Sequence, residues 1–183
     1  MVTPSYFPAP MISVFCANDE LKEINTKTDR LSFTHYTYQQ YYNNIKVEHG
    51  IYKVHAKDGL LKRANGEFYN LKIQSTTATI SAKEAFETLL TKINAKAYAW
   101  ENKNNPLRGD YQKPEGELVI LPIKNNQKTG FEYKLVYKYD IYTFIPFDRA
   151  IYFVDANSGN VVAKEQVMCS SDADTMYSGQ RNI

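Results

Sequence analysis

Three dipeptides, Asn43-Asn44, Asp58-Gly59 and Asn65-Gly66, decide what residues 31–74 can become. Each separates runs of aromatic and β-branched residues, which suit a pleated, half-buried surface. Asn, Asp and Gly tolerate the positive φ that a tight turn between antiparallel strands demands. The stretch Phe33–Gly50, FTHYTYQQYYNNIKVEHG, therefore reads as a β-hairpin, with Tyr36, Tyr38, Tyr41 and Tyr42 before the turn and Ile45 and Val47 after it. In Ile51–Lys57, Tyr52, Val54 and Ala56 alternate with Lys53, His55 and Lys57, the pattern of a strand with one buried and one wet face. With Asp58-Gly59 and Asn65-Gly66 as two further hairpin turns, residues 31–74 are predicted to be a chain of short antiparallel strands. So small a sheet is marginal alone and needs a packing partner.

Ser81 opens the one strong helix. In SAKEAFETLLTKIN the residues Ala82, Ala85, Phe86, Leu89, Leu90 and Ile93 share an apolar face. Ser81 and Glu84 form a capping box, in which the hydroxyl takes one orphan amide and the carboxylate reaches back to another. A polar loop, 101–114, follows. Strands are expected at Glu117–Ile123 and Tyr133–Phe144, with a turn at Asn125–Gly130 and a stop at Pro146. Ala150–Ala156 and Val161–Val167 complete a hairpin around Asn157–Asn160. One helix and four antiparallel strands make a two-layer α+β unit. The boundary to the first module falls at Gln74–Ile80. Upstream, Pro4, Pro8 and Pro10 mark an extended arm, and Asp19–Asn25 is expected to make a turn or two of helix. Residues 168–183 turn polar and end in a β-like segment with nothing after it to pair with.

With 43% hydrophobic residues the chain can build a packed core. A net charge of +2 provides no field for nucleic acid or an anionic membrane, and no apolar run nears the ~20 residues that span a bilayer. Tyrosine is in excess, 15 against 9 Phe and 1 Trp, so large amphipathic contacts are available, whether for sheet packing or for a binding surface. Cys16 and Cys169 form no zinc pattern, and their spacing leaves pairing open. Cys169 stands as a candidate free thiol in a polar tail. His35, His49 and His55 make no HExxH and no helical i, i+4 pair. His49 and His55 are within reach of each other on one sheet, though two such residues are ordinarily just polar strand positions. There is no nucleophile elbow, phosphate loop or dinucleotide fingerprint, and no carboxylate pair set for acid–base work. Arg108-Gly109-Asp110 spells an adhesion tripeptide in a loop, a match that three common residues produce easily. These absences point to a binding or folding module and not to an enzyme, with no catalytic residues, metal ligands or cofactor of its own.

The stretch FTHYTYQQYYNNIKVEHGIYKVHAKDGLLKRANGEF resembles the propeptide (FTP) region of secreted thermolysin-like and fungalysin-like zinc metallopeptidases. The shared marks are Tyr38-Gln39-Gln40, then Ile45, Val47 and Gly50, then Asn65-Gly66. Ser32 and His49 depart from the pattern, which leads one to expect smaller or glycine residues there. Ala97–Trp100, Tyr133–Tyr139 and the Val154-Asp155-Ala156…Gly159 hairpin resemble a PepSY module, and ADTMYSGQRNI resembles the first strand of a mature bacterial peptidase.

The resemblance implies an arm (1–30), an FTP-like β module (31–76), a PepSY-like, cystatin-like module of one main helix across an antiparallel sheet (81–167), and a processing junction with the start of the mature peptidase (168–183). It implies a secreted proregion that helps its protease fold and inhibits it until cleaved. The signal peptide lies outside these residues, and the zinc and HExxH belong to a downstream catalytic domain, the expected partner. Neither nucleic acid nor membrane is a partner. The junction comprises Val167, Met168, Cys169, Ser170, Ser171, Asp172, Ala173 and Asp174, and Tyr36, Tyr38, Gln40 and Tyr42 are candidate protease contacts. The alternative is a free-standing extracellular PepSY-type binding module or adhesin.

Overall fold

The computed structural model describes residues 18–71, 73, 75–101, 104, 109–124, 130–167, 173–175 and 179–181. The elements are strands β1 (Asp19–Thr28), β2 (Phe33–Tyr42), β3 (Ile45–Lys57) and β4 (Leu60–Gly66), helix α1 (Ala82–Ile93), and strands β5 (Ala97–Tyr98), β6 (Glu117–Lys124), β7 (Phe131–Ile145), β8 (Phe147–Asp155), β9 (Val161–Gln166), β10 (Ala173–Thr175) and β11 (Gly179–Arg181). Nine strands form one sheet in the order β1-β2-β3-β6-β7-β8-β9, with β4 on β3 and β5 on β7. Two compact units result. The first draws its described residues from Met1–Ala78 and Leu118–Val136, the second from Thr79–Glu117 and Tyr137–Ile183.

This architecture overturns the α+β expectation of a small antiparallel module followed by one main helix across an antiparallel sheet. The described residues are dominated by a nine-stranded sheet, beside which the single 12-residue helix is a minor element. The sheet is also mixed, because β3 and β6 pair in parallel at Lys46↔Val119 and Val47↔Ile120. Hairpin signals act over a few residues and say nothing about which distant strand completes a sheet.

In the first unit both predicted turns around β3 are present. Asn43 and Asn44 have φ of 49° and 62°, and Asp58 and Gly59 have 52° and 71°. Asn65-Gly66 is not a turn. It ends β4, where Gly66 lies opposite Tyr52. Asp19–Asn25 is not helical either. Its Glu, Leu and Lys favour helix, but Leu21 and Ile24 alone give too short an apolar face to hold one, and it pairs instead with β2 from Asp19↔Tyr42 to Thr28↔Thr34. Lys22 sits 4.4 Å from the centre of the Tyr41 ring. Ser32 and His49 both hold positive φ, 63° and 61°, so the two positions where the family pattern leads one to expect small or glycine residues do require left-handed backbone.

The first unit is keyed by a clamp at the end of β2. The β2–β3 register shifts between Gln39↔Ile51 and Tyr41↔Lys46, which leaves residues 47–50 as a bulge. Gln39 Nε2 lies 2.7 Å from the Val47 carbonyl oxygen and 3.1 Å from those of Gln40 and Gly50, so its two hydrogens serve the carbonyls the bulge removes from the ladder. Gln40 Nε2 donates to the Tyr69 carbonyl (2.8 Å) and to Asp19 Oδ1 (3.2 Å), and its Oε1 accepts from the Tyr69 amide (2.9 Å). A fully buried primary amide thus fastens the segment after β4 as a backbone partner would. Gly50 faces it: a Cβ there would lie 3.0 Å from Gln40 Cβ, tighter than ordinary contact. Around this polar knot Tyr38, Val47, Val54, Tyr69, Leu71, Val119 and Ile120 are buried.

In the second unit the sequence reading of α1 holds. Glu84 N–H donates to Ser81 Oγ (3.2 Å), and Ser81 N–H donates to Glu84 Oε2 (2.8 Å). Asn94 closes the helix with φ of 50°. Ala85, Phe86 and Leu89 are buried; the Tyr139 ring lies 5.4 Å from Phe86, and its hydroxyl donates to the Ala82 carbonyl (2.6 Å). Tyr111, from the polar loop, donates to the Asp140 carbonyl (2.6 Å) and accepts the Tyr142 amide (3.2 Å). Gly116 has φ of 90°, and a Cβ there would lie 2.5 Å from the Tyr139 ring. Arg149 grips Asp140 through both carboxylate oxygens, at 3.0 and 2.6 Å.

Replacing Gln40 by Ala should leave the buried Tyr69 amide and carbonyl unpaired and cost roughly 3 kcal/mol, read as a fall in the urea midpoint of the intact chain. Ser81→Ala should cost about 1 kcal/mol in the same assay. Burial pushes the Tyr38 and Tyr111 hydroxyls up to about 12, and Tyr139 higher still, against an ordinary value of about 10. Because the folded values are raised, their contribution is intact below about pH 10 and is lost as pH rises through 12. Thermal melts should therefore move steadily lower over that alkaline window.

Candidate functional site

The four tyrosine and glutamine positions on β2 divide in two. Tyr38 is 1% exposed and Gln40 is 0% exposed, so both belong to the interior and neither presents a surface to a partner. This corrects their reading as contacts. All four share one strand face, so the cause is position along β2: burial is confined to residues 38–40, where the bulge and the Tyr69 segment cover the strand. Tyr36 and Tyr42 remain half-buried on the module. The Tyr36 ring stacks on Tyr38 at 6.4 Å, and the Tyr42 hydroxyl accepts from Asn18 Nδ2 at 3.5 Å. Nothing in the alternation of FTHYTYQQYY separates these pairs, because the bulge that buries Gln40 lies on the other strand.

At the junction, Val167 is exposed and its amide donates to the Arg149 carbonyl (2.9 Å). Met168, Cys169, Ser170, Ser171 and Asp172 lie outside the described residues, as do Cys16 and Arg108. Ala173 and Asp174 belong to β10, opposite Arg181 and Gln180 of β11. The terminal β-like segment therefore has a strand partner, contrary to the expectation from sequence.

The opposite end of the β2–β3 hairpin carries a cluster that sequence spacing misassigned. His35 and His55 are Cα partners across β2 and β3, whereas His49 sits in the bulge. The two Nδ1 atoms are 2.6 Å apart. His35 Nε2 reaches Asp29 Oδ2 at 3.1 Å, and His55 Nε2 reaches Asn65 Oδ1 at 2.8 Å. Asp29 is fixed by its own turn, with Oδ1 accepting from the Leu31 (2.8 Å) and Phe33 (3.0 Å) amides. The Phe33 amide, followed by His35, holds the Asp29 carboxyl below its ordinary range. The cluster opens into a depression of about 520 Å³ lined also by Leu31, Phe33, Lys62 and Arg63. Leu31 is 70% exposed at its rim. The signal available in the sequence is the number of residues from each histidine to the Asn43-Asn44 turn, eight before it and eleven after, which becomes a register only once it is known that residues 47–50 together oppose Gln40 and so add three to β3.

The second unit holds a smaller cavity, about 330 Å³, between apolar Leu89 and Ile141 and the polar pair Asp148 and Lys164. Burial alone would raise the Asp148 carboxyl, but hydrogen bonds from Lys164 and Gln166 outweigh it and hold the group below the ordinary carboxylate range. Lys164 Nζ lies 3.0 Å from Asp148 Oδ2, so this carboxylate is committed to a neighbour. No helix among the described residues is long and apolar enough to cross a membrane.

Among solved structures, the C-terminal domain of Bacillus megaterium YpeB is similar at 15% identity and a TM-score of 0.39, over 81% of this chain and 57% of that one. The chain thus spans little more than half the length of that structure. No curated protein matches it. Residues 19–68, which run from the first residue of β1 to just beyond β4 and include both clamp glutamines and the histidine cluster, match the family described as the Fungalysin/Thermolysin Propeptide Motif.

Proposed function

We propose that this chain is the proregion of a secreted thermolysin-like zinc metalloprotease, assisting the folding of a downstream catalytic domain and holding it inactive until it is cleaved between Val167 and Asp174. The observation that carries this reading is the propeptide-motif match over residues 19–68. It coincides with β1–β4, whose Gln39 is satisfied within the matched residues and whose Gln40 bonds Tyr69 just after them. The module thus holds its shape with its own hydrogen bonds and is ready to act as a template. A protease trapped behind a high folding barrier gains from such a template, because docking on the transition state speeds folding without altering the final state. Zinc belongs to the catalytic domain; this chain supplies contact surface. A stable inhibitory interface needs about 1,600 Å² in total. With Tyr38 and Gln40 interior, Tyr36 and Tyr42 are the aromatic anchors left of the four candidate contacts. Exposed Val167 leads into the segment that would lie in the protease cleft and be cut.

The test mixes the purified chain with the separately produced catalytic domain. Slow, tight inhibition and a higher refolding yield are expected. Tyr42→Ala should weaken inhibition about tenfold, or about 1.4 kcal/mol, while leaving the chain's own unfolding midpoint in place. A chain that neither inhibits nor raises the refolding yield sinks the reading.

A further inference from the structure

Among the described residues of the second unit, the large apolar side chains left exposed gather in one place. Ile145 (53% exposed) and Phe147 (51%) flank Pro146 where β7 passes into β8, and Val167 (47%) follows β9. The bond from the Val167 amide to the Arg149 carbonyl carries the β8–β9 register one step past Ala150↔Gln166. Val167 therefore lies opposite Arg149 and diagonal to Phe147. Alternation along β8 puts Asp148 and Tyr152 on the face that α1 covers, where they line the cavity with Leu89, and puts Phe147, Arg149 and Ile151 on the other face. That other face has an aromatic base. Phe147 packs edge-on against Tyr142 at 5.7 Å, Tyr142 against Phe144 at 5.2 Å, and the Arg149 guanidinium lies 5.6 Å over the Tyr142 ring. Single exposed apolar residues are ordinary on a monomer, whereas a joined group on a firm base is the form of a recognition surface.

We propose that this face, with Phe147 and Val167 at its centre, is a seat for the catalytic domain, which meets it with an apolar patch beside its active-site cleft. The inference rests on the proregion reading above and supplies the contact surface that the reading leaves open in the second unit. The occupant follows from the tether. Val167 is fixed to the sheet by its amide. The bond to be cut lies at most seven residues further on, within 167–174, a reach of roughly 25 Å when fully extended. A domain of about 150 residues already has a radius of gyration of roughly 15 Å, so a body closed around that bond brings its surface up to this end of the sheet. Of the two faces there, α1 covers one and the other carries the exposed side chains. Charge does not select the partner here, because Asp140 already holds Arg149 through both carboxylate oxygens. Shape and apolar contact do. Phe147 is the anchor: it is exposed before docking and backed by Tyr142, so its burial removes apolar area from water at little cost in ordering.

The test mixes the full chain with the separately produced catalytic domain. Phe147→Ala should weaken inhibition at least about thirtyfold, and Phe147→Glu should remove it, with near-ultraviolet circular dichroism showing both variants folded. Lys83→Ala, on the exposed side of α1, should leave inhibition unchanged. A photoreactive benzoylphenylalanine in place of Phe147 reports the contact without relying on a loss of affinity: it should cross-link to the catalytic domain, and the same group in place of Lys83 should not. Inhibition that Phe147→Ala leaves at full strength, or that comes without a cross-link from position 147, overturns this inference and leaves the proregion reading standing. A cross-link from 147 to a second copy of the chain, with none to the catalytic domain, assigns the face to self-association and also overturns it. An unsubstituted chain that neither inhibits nor raises the refolding yield takes down the proregion reading, and this inference with it.

Discussion

Everything in the first unit depends on what happens to the backbone carbonyls of residues 47–50. A four-residue bulge in the middle of a 13-residue strand strips the β2–β3 ladder of partners, and buried carbonyls left so are costly. The side-chain amide of Gln39 replaces what the ladder lost, and the amide of Gln40 then behaves as a further backbone unit toward Tyr69. With the bulge stabilised, one strand serves two neighbours on the same edge. Its second half holds β4 antiparallel, and its first half holds β6 parallel. The adjacent glutamines are therefore structural, and Gly50 is set by the space they occupy.

The same bulge accounts for what could and could not be foreseen from the residues. Local instructions were legible: the Asn43-Asn44 and Asp58-Gly59 turns, the Ser81–Glu84 cap, the long β7 strand and the final hairpin lie where their chemistry puts them. The failures concern partners distant in sequence. DELKEIN has helical composition, yet the waiting edge of β2 recruits it as a strand. The parallel union of β3 and β6 joins residues some seventy apart, and no turn signal encodes it. At the site, Tyr36, Tyr38, Gln40 and Tyr42 share one face, and alternation does not say which stretch of that face a distant segment covers; the histidine pairing follows from a register that the bulge resets.

The two units solve polar burial differently. The first satisfies its interior with amides in a single knot. The second distributes the task among tyrosine hydroxyls, with Tyr137, Tyr139 and Tyr111 each donating to a backbone carbonyl while their rings fill the core. The excess of tyrosine is thus largely spent on architecture, which leaves a short list of rings for recognition.

Strand β1 lies at one end of the sheet path and carries Glu20, Lys22, Glu23 and Lys27 along a largely exposed ribbon, with a register break at Ile24. A flat apolar border there would recruit a neighbouring molecule through its open amides. Charge and the kink make that recruitment unfavourable. A chain with such a border keeps clear of edge-to-edge pairing with copies of itself.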